Sequence, residues 1–192
     1  IRASELGIGV NKGARVYVLP CIAGHVGADA AGVVLAEAPQ KDEINTLVVD
    51  VGTNAEIVVG NSKRMLAASS PTGPAFEGAQ ISSGQRAAPG AIERIRIDKD
   101  TLEPFFRVIG VEQWSNEDGF DEAGKSTGIT GICGSGIIEV LAEMYLSGIL
   151  STDGVIDGTV AARTPRIEED GRTFAYRVAE NVVVTQNDVR AI

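Results

Sequence analysis

The chain has 192 residues and a formal net charge of −9, which arises from 26 acidic and 17 basic side chains. This acidic balance argues against a nucleic-acid partner, which would need a basic stripe. Apolar residues make up 44% of the chain, but no run of them reaches the roughly 18 residues of a membrane-spanning helix, so we expect no membrane partner.

The first third of the chain predicts one helix and a three-stranded meander. Residues 28–38 are rich in Ala, Val and Leu and stop at Pro39, a pattern typical of a helix that is apolar on most sides and buried. Residues 47–51 indicate a strand buried on both faces. The predicted strands lie at 16–19, 47–51, 55–59 and 63–68, with short turns between the last three.

The rest of the chain predicts a long loop, two hairpins and two helices. Residues 69–90 are dense in Gly, Ser, Ala and Pro, and a loop of that length is better explained by function than by linkage. Segment 91–126 is predicted to be an outer hairpin or insertion, with strands at 92–97 and 105–109. A last hairpin pairs 174–178 with 182–184.

The clearest helix begins at Gly134. We expect Glu139 and Glu143 on its surface. Its apolar stripe is predicted to consist of Ile137, Ile138, Leu141, Tyr145 and Ile149.

Both ends of the sequence are those expected of a fragment. The chain begins without Met, and its first residues lack the basic start and apolar core of a signal peptide. Near the other end, Thr185 and Asp188 have the spacing of a helix-capping box, with Asp in place of the usual Glu. The helix would then have only a few residues before Ile192. We therefore expect a piece too short to bind and hydrolyse a nucleotide properly by itself.

Two cysteines and one histidine limit the metal and redox chemistry. Cys21 and Cys133 form no Cys-x-x-Cys pair, which favours a reducing, cytoplasmic setting. Two thiolates cannot hold an iron–sulfur cluster, which usually needs four protein ligands. The single His25 cannot make a histidine-rich metal site.

The sharpest chemical feature is Asp-Val-Gly-Thr-Asn at 50–54, after a predicted strand. Gly52 allows a tight turn and a close approach to a ligand. The N–H groups of Gly52, Thr53 and Asn54 can then point at phosphate oxygens, and Thr53 adds a hydroxyl. Asp50 is placed to hold Mg²⁺ directly or through water. A hairpin with an Asx-type turn is the alternative interpretation.

Asp29 begins the first predicted helix, within Gly-Ala-Asp-Ala-Ala-Gly. Its carboxylate is either an N-terminal cap favoured by the helix dipole or part of a site. Because this helix directly precedes the strand that ends at Asp50, we expect the two carboxylates near one crevice.

Two glycine-rich segments complete the candidate site. Gly134, Ser135 and Gly136 open a helix, where glycines let a planar ligand or a phosphate approach free N–H groups, although close packing of small residues is the alternative. Gly73 and Glu77 lie in the long loop. Glu77 is a candidate contact for metal, ribose or catalytic water, although a surface glutamate is usually only solvated.

In this order the motifs resemble the ATPase superfamily of acetate and sugar kinases, heat-shock chaperones and actin. The resemblance implies an α/β, ribonuclease-H-like fold, with a mixed sheet flanked by helices and an additional β-hairpin insertion. It makes residues 1–192 a partial actin-like ATPase domain, with the second phosphate motif and the adenosine motif of a larger two-subdomain ATPase. Asp29 is similar to the helix aspartate that serves as a base in sugar kinases, so it would activate or orient the attacking water, with Glu77 as the next candidate.

Five longer blocks resemble one subfamily, the reductive activators of corrinoid proteins. Residues 185–190 also fit, whereas Ala55 stands where many relatives carry Gly. Several long blocks in the right order are far more specific than any single glycine motif. The blocks are LPCIAGHVGAD at 19–29, VDVGTNAEI at 49–57, GPAFEGA at 73–79, APGAI at 88–92 and GICGSGII at 131–138.

Members of that subfamily pair a ferredoxin-like [2Fe–2S] domain with the ATPase. They use ATP to return an accidentally oxidised Co(II) corrinoid of a methyltransferase system to Co(I). The resemblance implies ATP and Mg²⁺ as ligands and a corrinoid protein as partner, and it allows a homodimer. The cluster and the first phosphate motif are expected in the parent protein outside this chain, which would form one wall of the ATP cleft.

Two other functions remain compatible with the same residues. In one, the parent protein is a small-molecule kinase of the same superfamily that phosphorylates a sugar or an acid. In the other, the motif loops form a docking surface of a nucleotide-free interaction module. Substrate-dependent release of ADP without any response to a corrinoid protein favours the first, and a lack of ATP binding favours the second.

Overall fold

A computed structural model describes residues 1–192, which divide into two compact units, Ile1–Pro71 and Thr72–Ile192. The predicted α/β class is confirmed. The strands form three separate three-stranded sheets rather than one, and one of the three is mixed. None of the helices combines the length and the apolar character needed to cross a membrane.

The first unit contains the predicted helix and meander. Both neighbouring strand pairs are antiparallel, in the order β1-β2-β3, and 3₁₀ turns lie at Ala3–Leu6 and Pro39–Lys41. The elements are α1 (Ala28–Glu37), β1 (Thr46–Val51), β2 (Asn54–Gly60) and β3 (Met65–Pro71).

The strand predicted at 16–19 is absent. Its neighbour Arg15 forms one isolated bridge with Arg2, and the side chains of Tyr17 and Val18 are 83% and 74% exposed. A strand is stabilised by cross-strand pairs, and this apolar run has no second strand beside it.

The expected burial of β1 on both faces and of α1 on most sides is wrong. Leu47 remains 63% exposed on β1 and Leu35 66% exposed on α1, and Ala30 is the one fully buried residue of that helix. Strand β1 pairs only with β2, so it is an edge strand of its sheet. Its residues therefore alternate between half-buried and exposed, as expected for a strand packed on one face.

The second unit contains two sheets and three helices. One sheet has the order β5-β4-β6 with β4 and β6 parallel, and the other has the order β7-β8-β9 with antiparallel pairs. Helix α2, strands β6 and β7, and two 3₁₀ turns at Pro74–Glu77 and Gly158–Ala162 were not predicted. The elements are β4 (Ala91–Ile97), β5 (Pro104–Val108), α2 (Phe120–Gly124), β6 (Gly131–Ile132), α3 (Gly134–Leu146), β7 (Ile167–Asp170), β8 (Thr173–Ala179), β9 (Val182–Thr185) and α4 (Gln186–Ala191).

The hairpin expected on the outside as an insertion supplies much of the core of the second unit. Ile92 and Ile95 are 0% exposed and Val108 is 1% exposed. The register of β4 against β5 shifts between Ile92 and Arg94. A bulge of this kind changes which residues face inward, so strict alternation could not identify both isoleucines as core residues.

Helix α3 packs on a face rotated from the predicted stripe. Its buried side chains include Ile137, Val140 and Met144, whereas Ile138 and Tyr145 are 48% and 51% exposed. Both sets follow helical spacing, because the helix is apolar around much of its circumference. The sequence pattern therefore predicted the helix but not its orientation.

Glu139 and Glu143, expected on the free surface of α3, are bound to the edge of β4. Glu139 accepts a hydrogen bond from the Ile95 N–H at 2.8 Å, and Glu143 accepts one from the Ile97 N–H at 3.0 Å. Strand β6 pairs with β4 only at Ala91 and Ile92. The two carboxylates thus bind N–H groups that an open strand edge would leave available for aggregation.

Arginines from β4 complete the Glu139 site. Arg94 Nε lies 2.6 Å from Glu139 Oε1, and Arg96 Nη1 lies 3.0 Å from Oε2. Burial by itself raises the pKa of Glu139, but the hydrogen bonds from Ile95 and Arg94 and the charges of Arg96 and Arg94 outweigh it. The pKa of Glu139 is therefore lower than usual.

We expect Glu139→Gln to lower the free energy of unfolding at neutral pH by about 2 kcal/mol, because the charged acceptor of the Ile95 N–H and of Arg94 is lost. The folded-state pKa is depressed, so the stabilisation is fully present above the pKa of an unfolded glutamate. It is lost as the pH falls through the lower folded-state pKa. Urea unfolding at neutral and acidic pH measures the difference, which should shrink in acid. The control is Glu112→Gln, at a glutamate that is exposed. Equal stability of both variants at neutral pH would contradict the stabilising role of Glu139.

Candidate functional site

The turn between β1 and β2 holds the predicted phosphate motif. Val51 pairs with Ala55, so residues 52–54 span the turn. The Gly52 N–H donates to the Asn54 carbonyl at 2.9 Å. That hydrogen bond closes the turn that carries the three predicted phosphate donors, Gly52, Thr53 and Asn54.

Three polar residues form a row across the meander. Asp50 lies opposite Glu56 on the neighbouring strand, and Glu56 lies opposite Ser69. Directly opposed residues share a face of the sheet. The Ser69 hydroxyl donates to Glu56 Oε1 at 3.1 Å, which fixes the half-buried carboxylate of Glu56.

The start of α1 forms one side of a cavity of about 570 Å³, here termed the first cavity. Asp29 Oδ1 accepts a hydrogen bond from the Ala30 N–H at 2.8 Å. A Cβ on Gly27 would lie 2.5 Å from the same oxygen, so the glycine leaves room for the carboxylate. The lining residues are Gly24, His25, Gly27, Asp29, Asn54, Glu56, Ser69 and Pro71.

The first cavity brings together two residues predicted from separate motifs, Asp29 and Asn54. Asp50 and Thr53 are not among its lining residues. Sequence reasoning missed Glu56 and Ser69. The period of two along β2 could have identified Glu56, because it lies on the same face as Asn54, but the strand pairing that brings Ser69 to it is not visible in the sequence.

The charge of the first cavity determines what it can bind. Carboxylates of Asp29 and Glu56 face the same space, so a phosphate would be repelled unless a cation bound with it. No three acidic, His or Cys side chains are close enough to hold a metal ion by themselves. Mg²⁺ usually takes one or two carboxylates and completes its shell with phosphates and waters. The donor set therefore fits a metal–phosphate complex.

A second cavity, of about 420 Å³, lies in the second unit. The predicted residues Glu77, Gly134 and Ser135 line it. Phe76, Arg86, Ala87 and Cys133 also line it and were not assigned to the site from the sequence. Phe76 and Cys133 directly precede Glu77 and Gly134, so the flanking position was the available signal for these two, whereas no local signal identified Arg86 and Ala87.

Close backbone approach explains the glycines here. A Cβ on Gly134 would overlap the carbonyl oxygen of Phe76, and a Cβ on Gly136 would lie 2.5 Å from the Ile92 carbonyl oxygen. Gly136 is buried and does not line the second cavity. Gly73 does not line it either. Gly73 comes directly before the 3₁₀ turn that carries Phe76 and Glu77, and its φ is 80°. A positive φ of this size is a backbone conformation that favours glycine.

Comparison with known protein families divides the chain at residues 42–44. The family described as "C-terminal domain of RACo the ASKHA domain" matches residues 44–192. The family described as "RACo middle region" matches residues 1–42.

Individual relatives carry names that refer to corrinoid proteins. The "Corrinoid activation enzyme RamQ" of Eubacterium limosum is 29% identical over 205 residues, covering 100% of this chain and 31% of the relative. The "[Co(II) methylated amine-specific corrinoid protein] reductase" of Methanosarcina barkeri is 29% identical over 193 residues, covering 92% of this chain and 35% of the relative.

A solved structure is also similar along the whole chain. The "Reductive activator for corrinoid,iron-sulfur protein" matches with a TM-score of 0.78 and 32% identity, over 100% of this chain and 29% of that one. The chain thus spans about a third of the length of the proteins it matches. The resemblance to corrinoid activators is confirmed, and the chain belongs to the RACo family, with its middle-region match at 1–42 and its C-terminal ASKHA domain at 44–192.

Proposed function

We propose that this chain supplies ATP-binding elements to a reductive activator that returns the Co(II) form of a corrinoid protein, in a methyltransferase system, to Co(I). The observation that carries the ATP assignment is that Asp29 and Asn54 line the same cavity. The names of the relatives support the corrinoid part of the proposal.

The first unit would contact the phosphates and Mg²⁺. Thr53 and Asn54 bind phosphate oxygens, with Gly52 shaping the turn that presents them. Asp50 holds Mg²⁺ directly or through water. When bound, Mg²⁺ neutralises phosphate charge and so allows the nucleotide to lie beside carboxylates.

Asp29 is the proposed acceptor of the proton from the attacking water. A carboxylate is suited to general-base catalysis when it is held in place next to the water. The hydrogen bond from the Ala30 N–H and the space left by Gly27 hold Asp29 at the edge of the first cavity. Glu56, held by Ser69, faces the same space and is available to orient the water or a metal-bound water.

The second unit would contact the adenosine moiety. Gly134 and Ser135 line the second cavity, and Glu77 offers a carboxylate suited to the ribose hydroxyls. Gly73 acts by shaping the turn that carries Glu77. Gly136 acts by allowing the close approach of α3 to the Ile92 carbonyl, since it is buried and an added Cβ would lie 2.5 Å from that oxygen.

ATP is needed because reduction of Co(II) is uphill for a ferredoxin-type donor. Binding or hydrolysis must favour a conformation or complex in which one electron passes to cobalt, a coupling between two sites. The chain holds two cysteines, so we place the [2Fe–2S] donor elsewhere in the protein. The cytoplasmic setting and the homodimer remain predictions.

We expect Asp50→Asn to abolish hydrolysis of Mg·ATP in the complete protein, because the carboxylate that holds the metal is lost. In the same reaction, the ATP-dependent appearance of the Co(I) spectrum of the corrinoid protein should also be lost. Asp42→Asn, at an exposed aspartate of the same unit, should leave both unchanged. Undiminished turnover in Asp50→Asn would contradict the metal assignment.

The wild-type protein in that assay tests the function as a whole. If the release of ADP depends on a sugar or an acid and does not respond to the corrinoid protein, the protein is a small-molecule kinase and not an activator. Absence of ATP binding would replace it with an interaction module.

We expect Asp29→Asn to lower kcat for ATP hydrolysis about 100-fold or more, with little change in ATP affinity, because the amide cannot accept the proton. Asparagine still accepts the Ala30 N–H, so the helix start is preserved. Single-turnover hydrolysis together with equilibrium ATP binding measures both quantities. An unchanged kcat would show that Asp29 is not the general base, and Glu56 and Glu77 would be the next candidates.

We expect Gly134→Ala to weaken ATP binding about tenfold, because the added methyl group would push the wall at Phe76 away from the start of α3. Gly124→Ala is the matched control, since nothing lies within 4 Å of its added Cβ. Titration calorimetry on the complete protein compares the two variants. Equal affinities for both would remove Gly134 from the adenosine site.

A further inference from the structure

Asp188 is a buried carboxylate that the proposed chemistry does not use. It is 2% exposed. Its Oδ2 accepts hydrogen bonds from the Thr185 N–H at 2.8 Å and the Thr185 hydroxyl at 2.9 Å, which confirms the predicted capping box. Its Oδ1 accepts from the Ser82 N–H at 2.7 Å and the Ser82 hydroxyl at 3.0 Å, 106 residues away in sequence. Four hydrogen bonds of this kind compensate for the cost of burying a charged carboxylate.

Ser83 provides a second link between the same two segments. Its hydroxyl donates to the Val183 carbonyl at 3.1 Å and accepts from the Val183 N–H at 3.0 Å. The side chain thus pairs with β9 as a neighbouring strand would. Segment 82–83 is therefore held against both β9 and the start of α4.

The same segment is paired on its other side with β6. The Ile132 N–H donates to the Ser83 carbonyl at 2.8 Å, and the Gln85 N–H donates to the Ile132 carbonyl at 2.9 Å. The next residues on the two paired segments, Arg86 and Cys133, line the second cavity. Hydrogen bonds and short stretches of backbone in segment 82–86 and residues 132–133 therefore connect Asp188 to the cavity wall.

We propose that Asp188 is a positioning residue for the second cavity: through Ser82 it fixes segment 82–85, and that segment sets the place of the loop that leads into α3. The inference rests on the proposed function, in which this cavity receives the adenosine moiety. The position of α4 and the affinity for nucleotide are then coupled. Such coupling is reciprocal, so nucleotide binding also holds α4 more firmly.

Asp188→Asn in the complete protein tests the inference with little change in shape. The NH₂ group that replaces one carboxylate oxygen cannot accept hydrogen bonds, so the donors on that side of residue 188 lose their acceptor. ATP should bind about tenfold more weakly, while kcat at saturating ATP stays within about twofold.

Gln186→Leu is the matched control for a merely structural effect. Gln186 is 3% exposed on the same helix. It accepts from the Ile156 N–H at 2.8 Å and donates to the Gly154 carbonyl at 2.7 Å, with no bond to segment 82–85. This variant should lower Tm without changing ATP affinity. If both variants weaken ATP binding equally, or if Asp188→Asn leaves it unchanged, the inference is wrong.

Reaction of Cys133 with a thiol reagent gives a readout that needs no ATP. Cys133 is buried and Cys21 exposed, so the measurement is made in a Cys21→Ser background. If Asp188→Asn makes the wall of the second cavity more mobile, Cys133 should react about tenfold faster in this variant. The rate should not change in Gln186→Leu. An unchanged rate in Asp188→Asn would overturn the inference.

The two readouts separate the inference from the proposed function. If the wild-type protein binds no ATP while the Cys133 rate still responds to Asp188→Asn, the nucleotide assignment fails and the positioning role stands. If Asp188→Asn does not fold, Ser82→Ala replaces it, because it removes the hydrogen bond from the Ser82 hydroxyl to Asp188 and leaves the capping box intact. The same faster Cys133 reaction is then expected, and an unchanged rate would sink the inference.

Discussion

The docking of helix α3 against strand β4 is the constraint on which the second unit depends. Because Gly136 has no Cβ, the helix approaches the Ile92 carbonyl, which also accepts the Cys133 N–H at 3.1 Å. One and two turns further along, Glu139 and Glu143 bind N–H groups of the same strand. These contacts fix the direction of α3 and thereby hold its first residue at the second cavity, so packing and the candidate site have a common origin.

The first unit depends on strand pairing instead. The antiparallel register places Asp50, Glu56 and Ser69 in one row, and the period of two puts Asn54 on the same face of the sheet. A one-residue slip would move all the polar groups of a strand to the opposite face. The short turn at Gly52, closed by its own N–H, therefore determines the chemistry of the first cavity as well as its shape.

Local patterns predicted the parts of the fold that local physics decides: α1, the meander, the β4–β5 and β8–β9 hairpins, the start of α3 and the capping box at Thr185. The predictions that failed concern features that depend on contacts with residues far away in the sequence. The buried face of α3 requires knowledge of β4, and the second role of Asp188 requires a serine 106 residues away. In the candidate site, glycine and aspartate motifs predicted Asp29, Asn54, Gly134 and Ser135. Glu56, Ser69 and Arg86 were missed because tertiary placement, not a motif, brings them to the cavities.

Hydrogen exchange of the complete protein, with and without Mg·ATP, tests the central claim most directly. If this chain supplies both the phosphate and the adenosine contacts, ATP should slow exchange in the peptide that contains Thr53 and Asn54 and in the one that contains Gly134 and Ser135. ATP that is demonstrably bound but slows exchange in neither peptide would contradict the account.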